Sequence, residues 1–321
     1  MSASPLEIFL MSINLSTLRT PRAALLAALT AGSLALVTAC GNSSTSSGAH
    51  VAGHGSSADP MASHPMPSAT QMGGMGGMGG HMVDAGKGLL ATEDGYTLKP
   101  SSTALMIGKQ TISFQILGKD GMPQTEYVED QTKLLHFYLV RLDLTGYQHL
   151  HPTLKDGTWS IEVNAATPGP YRMYTDFIAK DSGGAQHPLV LSTVLTAPGT
   201  YTPVALPPSA TSTTVDGLTA TLTGSIAAGT ESKVSFQITE NGKPVSDLEQ
   251  YLDSFAHLTA LHSGDAAYQH VHPELTASPG QKGGPALPFS VDLPEKGTWR
   301  LFLQVQRAGT LHLLPLTVTV T

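Results

Sequence analysis

Cysteine is almost missing: Cys40 is the one thiol in 321 residues. A lone thiol excludes an internal disulfide and any multi-thiolate zinc site. Charge is scarce as well, at 13% of residues, with a formal net charge of -7 and no run of Lys or Arg in the body of the chain. Nucleic acid needs clustered cations to displace phosphate counterions, so that class of partner is excluded. GxSxG, HExxH and phosphate-cradling glycine loops are absent, which removes the best-marked hydrolase, zinc-protease and nucleotide-binding readings. No small-molecule substrate is identified, and the chain reads as a non-enzyme. Long helical patterns are few. What is abundant is Thr, Ser, Gly and Pro on a 40% hydrophobic background, a composition that favours β-structure in a chain long enough for about two domains.

The N-terminus reads as a targeting segment. Arg19 and Arg22 precede the apolar run AALLAALTAGSLALVTAC, which ends at Cys40. A positive region followed by an apolar stretch with small residues at its end predicts an export signal over residues 1–39. LVTAC followed by Gly41 resembles a bacterial lipobox. That resemblance implies that Cys40 is diacylated and becomes the first mature residue. Two acyl chains suffice for stable anchoring, so the expected location is extracytoplasmic, with the membrane as a partner through the lipid. An acylated Cys40 is also withdrawn from nucleophilic chemistry and from any blue-copper thiolate site.

Residues 40–88 contain mostly Ser, Gly, Ala, Pro, Met and His. Such a segment buries too little apolar surface to offset its chain entropy, so a disordered, flexible tether is expected. Its tract QMGGMGGMGGHM offers Met72, Met75, Met78, His81 and Met82, soft donors that a flexible chain can wrap weakly around Cu(I).

Beyond the tether the sequence repeats itself. DGYTL at 94–98 recurs as DGLTA at 216–220, and ISFQILGKDGMP at 112–123 as VSFQITENGKP at 234–244. LLHFYLVRL at 134–142 matches FAHLTALHS at 255–263, and GYQHLHPTL at 146–154 matches AYQHVHPEL at 267–275. PGPYRMYTDF at 168–177 matches EKGTWRLFLQV at 295–305. Two domains are expected, at 89–199 and 216–321, joined by a Pro-rich, extended and semi-rigid linker at 200–215. Within each copy, apolar and polar residues alternate with period two between turn signals such as KDG and TPGP. The fold class is therefore all-β: two tandem immunoglobulin-like β-sandwiches without the disulfide. SDLEQYLDSFAHL carries a capping-box pattern, Ser246 with Glu249, that predicts a single helical turn.

Thirteen histidines are unevenly placed. His50, His54, His64 and His81 fall in the tail; His136, His149, His151 and His187 recur as His257, His270, His272 and His312, leaving His262 unmatched. Two residues apart on a strand, His149 and His151 project from one face. A hairpin turn centred near 144–145 puts His149 opposite Val140 and His151 opposite Tyr138, with His136 diagonal to His151. Three imidazoles at a strand end, with His187 or His312 arriving on the last strand, suit Cu(II) or Zn(II). One such site per sandwich is expected, with Asp176 a further donor in the first copy and Gln304 at its place in the second. A shared catalytic carboxylate is not found, since Glu274 in one copy is Thr153 in the other. The competing reading gives the histidines a structural role, because a neutral imidazole donates from one nitrogen and accepts at the other.

LEQYLDSFAHLTAL, YQHVHPEL and KGTWRLFLQVQRAGTLH together resemble a module of bacterial exported proteins, the YtkA-like and copper-resistance β-domains. The resemblance covers the second copy well and the first less well, where TEYVEDQTKLLHFYL departs from it. It implies an extracytoplasmic β-sandwich tied to copper homeostasis. The sequence thus leads to a membrane-anchored protein that binds copper, with zinc as the other metal that imidazoles serve. The alternative is a tandem immunoglobulin-like surface protein that binds an envelope protein or glycan. A third reading, an accessory subunit of a copper or oxidase-assembly system, shares the first chemistry.

Overall fold

The computed structural model describes residues 88–271 and 273–321. Cys40, the signal segment, the tail donors Met72, Met75, Met78, His81 and Met82, and His272 lie outside the described residues. Among those described there is no helix.

Ten strands make the first module: β1 (Thr92–Glu93), β2 (Tyr96–Pro100), β3 (Gly108–Leu117), β4 (Tyr127–Val128), β5 (His136–Arg141), β6 (Gln148–Leu150), β7 (Thr153–Lys155), β8 (Thr158–Ala165), β9 (Gly169–Lys180) and β10 (Gln186–Ala197). One sheet runs β1-β2-β3-β8-β7 and the other β10-β9-β5-β6, with β4 added to β9. In immunoglobulin terms these are ABED against GFCC′. Nine strands make the second module: β11 (Ser212–Val215), β12 (Leu218–Thr223), β13 (Ser232–Glu240), β14 (Lys243–Pro244), β15 (Ala256–His262), β16 (Tyr268–Val271), β17 (Ala286–Val291), β18 (Gly297–Arg307) and β19 (Thr310–Val320). Its sheets repeat the plan: β11-β12-β13-β14 with β17 on β13, facing β16-β15-β18-β19.

Alternation builds each core. Phe114 and Ile116 of β3 and Trp159 and Val163 of β8 point inward, where Phe114 meets Phe137 of the facing sheet at 5.7 Å between ring centroids. Phe236, Phe289, Leu258 and Leu301 fill the equivalent space in the second module. The entry to β9 is pinned by Tyr171, whose hydroxyl donates to Thr167 O at 2.8 Å. Trp299 does the same work in the second copy, donating from Nε1 to Glu295 O at 3.0 Å. The different side chains hold one corner by the same backward reach of four residues.

All six residues of β5 are buried, and so are the first six of β15. A half-exposed strand would show period two. The second face is buried because the two GFCC′ sheets pack on each other. Tyr138, Val140, Leu144, Tyr147 and Tyr174 of the first module form one apolar cluster with Leu261, Ala266, Tyr268 and Phe302 of the second. Tyr147 stacks on Phe302 at 4.1 Å and an interplanar angle of 6°, and its hydroxyl donates to Thr259 Oγ1 at 2.9 Å.

The strand-free connection at 198–211 is held in place. Arg141 pairs with Asp143 at 2.6 Å, with side-chain exposures of 5% and 3%. The same guanidinium donates to Pro168 O at 3.0 Å and Thr202 O at 2.8 Å, and it lies over the Tyr201 ring. Asp143 also accepts from the Val204 amide at 2.9 Å.

Two local expectations are corrected. The segment after Ser246 is not helical: Leu248 exchanges both backbone bonds with Gly283, the Glu249 amide bonds Gln306 O, and Tyr251 pairs with Ser254. The Glu249 carboxylate takes Lys282 and the Gly309 amide, so it is unavailable for a capping box. The β5–β6 register is also shifted by two residues, with Tyr138 opposite His149 and Phe137 opposite Leu150. Asp143 closes the turn as an Asx cap, accepting from the Thr145 amide and hydroxyl, with Leu144 and Gly146 at φ +61 and +64.

Candidate metal centre between the modules

The corrected register brings His136, His149 and His151 together. One ring nitrogen from each lies within 4.8 Å of the other two. His136 Nδ1 and His149 Nε2 stand 3.1 Å apart. Ring centroids are separated by 5.3 Å for His136–His149, 5.1 Å for His136–His151 and 4.8 Å for His149–His151.

The outer nitrogens of two of these rings are fixed. His136 Nε2 donates to Asp130 O at 3.1 Å, which leaves its Nδ1 lone pair facing inward. His149 Nδ1 faces Gln304 Oε1 at 2.7 Å. With Gln304 presenting its oxygen, His149 donates from Nδ1 and turns the Nε2 lone pair inward as well. Two lone pairs then oppose each other at 3.1 Å, an arrangement that a cation between them relieves. Two nitrogens on one tetrahedral ion, each at about 2.0–2.1 Å, stand roughly 3.3 Å apart. Outer hydrogen bonds to a carbonyl and an amide are also what orient metal-bound imidazoles. His151 Nε2 is buried with no hydrogen-bond partner.

The second module faces this trio. His270 donates from Nδ1 to Asp176 Oδ2 at 2.9 Å, and Tyr268 OH donates to the same oxygen at 2.9 Å. Asp176 and Gln304 occupy equivalent places in the repeat, opposite His136 and His257 in the two ladders. Each reaches across to the other module's HxH histidine, so the expected donor role of Asp176 within its own copy is replaced by a cross-module hydrogen bond. His257 is 2% exposed, and neither of its nitrogens makes a hydrogen bond of good geometry.

Burial keeps His149, His151 and His257 neutral. It pushes His149 well below the ordinary imidazole value, and the neighbouring His136, His257 and His151 add to the effect. His151 is pushed down to about 3 by burial, then by His136 and Lys133. His257 is pushed well below its ordinary value by burial, then by His270 and His136, although the Tyr251 backbone pulls the other way. Neutral imidazoles keep the lone pairs that metals require.

A turn absent from the sequence reading supports the rim. Asp130 and Lys133 exchange two backbone bonds of 2.9 Å, with Gln131 and Thr132 at φ +45 and +69. That is a two-residue turn with no glycine, strained most at β-branched Thr132. It aims Asp130 O at His136 and the Gln131 amide at His270 Nε2, 3.3 Å away. No glycine signal marks it, so periodicity and turn chemistry miss it.

His187 and His312 do not join the centre, which corrects the expected fourth ligand. His187 bonds Asp94 at 2.8 Å and Asp181 at 2.9 Å, and His312 bonds Asp216 at 3.2 Å. Both tie the last strand to the Asp-Gly hairpin at the start of their module. His262 stands where Arg141 does in the first copy and bonds Asp265 at 2.8 Å. With Asp265 and Glu295 it forms a second, more open acidic group beside Trp299.

A family model described as a domain of unknown function, DUF8832, matches twice, at residues 91–190 and 213–321. The chain belongs to that family. A search of curated proteins finds no match. Among solved structures, invasin, titled a bacterial integrin-binding protein, is 17% identical, with 71% of this chain and 40% of that one covered and a TM-score of 0.21. A DUF4785 family protein from Legionella pneumophila is 12% identical over 70% of this chain and 56% of that one, at 0.24. InvD from Yersinia pseudotuberculosis is 13% identical over 71% and 57%, at 0.22. The chain thus spans less than two thirds of each, and superposition at these scores carries no argument about function.

Proposed function

We propose that this DUF8832 chain is an extracytoplasmic metal-binding protein whose imidazole centre takes a divalent first-row ion, copper foremost and zinc next. The observation that carries the reading is the 3.1 Å approach of His136 Nδ1 and His149 Nε2, both lone pairs inward, beside the unpartnered His151 Nε2. Three imidazoles without thiolate suit Cu(II) and Zn(II), and copper stands highest in the affinity order. The anchor at Cys40 and the Met/His tail complete the proposal: a lipid holds the protein at the membrane, and Met72, Met75, Met78, His81 and Met82 gather Cu(I) loosely. The chain holds or passes a metal ion and performs no catalysis. Isothermal titration of residues 88–321 with Cu(II) and Zn(II) tests the reading. Binding that disappears in His149→Ala with His151→Ala is expected; no binding, or binding unchanged in that variant, refutes it.

A second reading has its own observation. Turning the Gln304 amide over lets His149 donate to His136, so the pair is then satisfied without an ion. The histidines in that case only join the modules, and the protein is a non-catalytic surface module for an envelope protein or glycan. That reading expects a melting temperature indifferent to chelator.

A further inference from the structure

We infer that the imidazoles form a single metal site per chain, shared between the modules, with His136 and His149 supplied by the first and His257 and His270 by the second. This rests on the metal-binding reading above and replaces one ion in each sandwich by one ion between them.

The rings close a circuit. His136–His149 centroids are 5.3 Å apart, His149–His257 6.0 Å, His257–His270 6.4 Å and His270–His136 5.7 Å. The two separations that cross between modules lie within the range set by the two inside them. Imidazoles sharing an ion at about 2.0–2.1 Å per bond have centroids roughly 5–6 Å apart; three of the four edges fit that range, and the His257–His270 edge, at 6.4 Å, closes slightly when the ion binds.

The nitrogens are arranged to match. His149 and His270 each use Nδ1 on the opposite module, on Gln304 at 2.7 Å and Asp176 at 2.9 Å, which turns Nε2 of each the other way, toward the centre. His136 uses Nε2 on Asp130 O, leaving Nδ1. His257 is buried with both nitrogens lacking a good hydrogen bond. At His270 the Gln131 amide donates to Nε2 at 3.3 Å, and the ion takes the place of that proton donor. His151, only half-buried, stands beside His136 and His149 and is not one of the four.

A site assembled from both modules couples ion binding to their docking. Whatever separates the GFCC′ sheets removes two ligands, and the ion in turn holds the sheets together.

Zinc titration of the chelator-stripped full chain tests this, with His50, His54, His64 and His81 replaced by alanine in every sample so that the tail adds no imidazole. The expected result is one tight ion per chain. His136→Ala and His257→Gln should each weaken that same event by about tenfold or more. X-ray absorption of the zinc complex should count four imidazoles, a readout that does not depend on how a variant folds. Two tight ions per chain, three imidazoles per ion, or unchanged affinity in folded His257→Gln each overturn the shared site while leaving metal binding intact. No tight binding at all overturns the metal reading itself.

Discussion

Gln304 Oε1 of the second module lies 2.7 Å from His149 Nδ1 of the first, and the repeat-equivalent Asp176 lies 2.9 Å from His270 Nδ1 in the reverse direction. Each module therefore orients the imidazole that the other contributes. Gln304→Leu removes the partner of a buried N–H and leaves it unpaired, a loss of about 1–3 kcal/mol. Urea unfolding measures it; a midpoint unchanged from wild type would show that His149 finds another acceptor.

Acid should destabilise the fold in a defined window. The folded chain holds His149, His151 and His257 below the ordinary imidazole value, His151 at about 3, while the unfolded chain titrates near about 6.5. Between those values the unfolded state binds more protons, so stability rises with pH. The contribution is fully present above about 6.5 and is lost as pH falls toward the folded values. Unfolding midpoints at successive pH values check this, and a flat profile from neutral pH down through the imidazole range would contradict it.

The Tyr147–Phe302 stack at 4.1 Å should couple the modules energetically. In a double-mutant cycle, Tyr147→Ala and Phe302→Ala should show an interaction of about 0.5–1.5 kcal/mol beyond their separate costs. Strict additivity would mean the sheets do not pack on each other in solution.

Arg141→Met leaves the Asp143 carboxylate buried without its cation. Burial opposes the charge on Asp143, and the Thr145 hydroxyl, the Val204 and Thr145 amides and Arg141 together outweigh it, holding the carboxyl below its usual range. Removing one partner of such a pair costs about 3–5 kcal/mol. It also frees the connection at 198–211, so limited proteolysis there should accelerate. Arg141→Lys should rescue only partly, because one ammonium cannot serve Asp143, Pro168 O and Thr202 O together.

Much of this was legible in the residues. The alternation in TISFQIL and WSIEV specifies strands, and the duplicated HxHP frame marks the imidazoles that converge. Recurrence alone could not separate His149, which enters the centre, from His187, which ties a hairpin, since duplication copies both kinds of role. The two-residue register shift follows from Asp143 closing the turn with its side chain, a choice that hydrophobic pattern does not encode. The docking of the modules left a trace in HFYLVRL, a strand with no polar face once its tyrosine and histidine are counted as contacts. Reading that trace requires knowing that a second copy faces it, and sequence order says nothing about which faces meet. The glycine-free turn at Gln131–Thr132 carries no signal, because tertiary contacts to His136 and His270 hold it rather than local preference.

Thermal unfolding of the metal-stripped chain, with and without Cu(II) or Zn(II), tests the central claim most directly. An ion bound among these imidazoles at about a hundred times its dissociation constant adds about 2.7 kcal/mol to the folded state. The account predicts a raised melting temperature that a chelator reverses and that His136→Ala with His149→Ala abolishes. A melting temperature indifferent to both metals would contradict it.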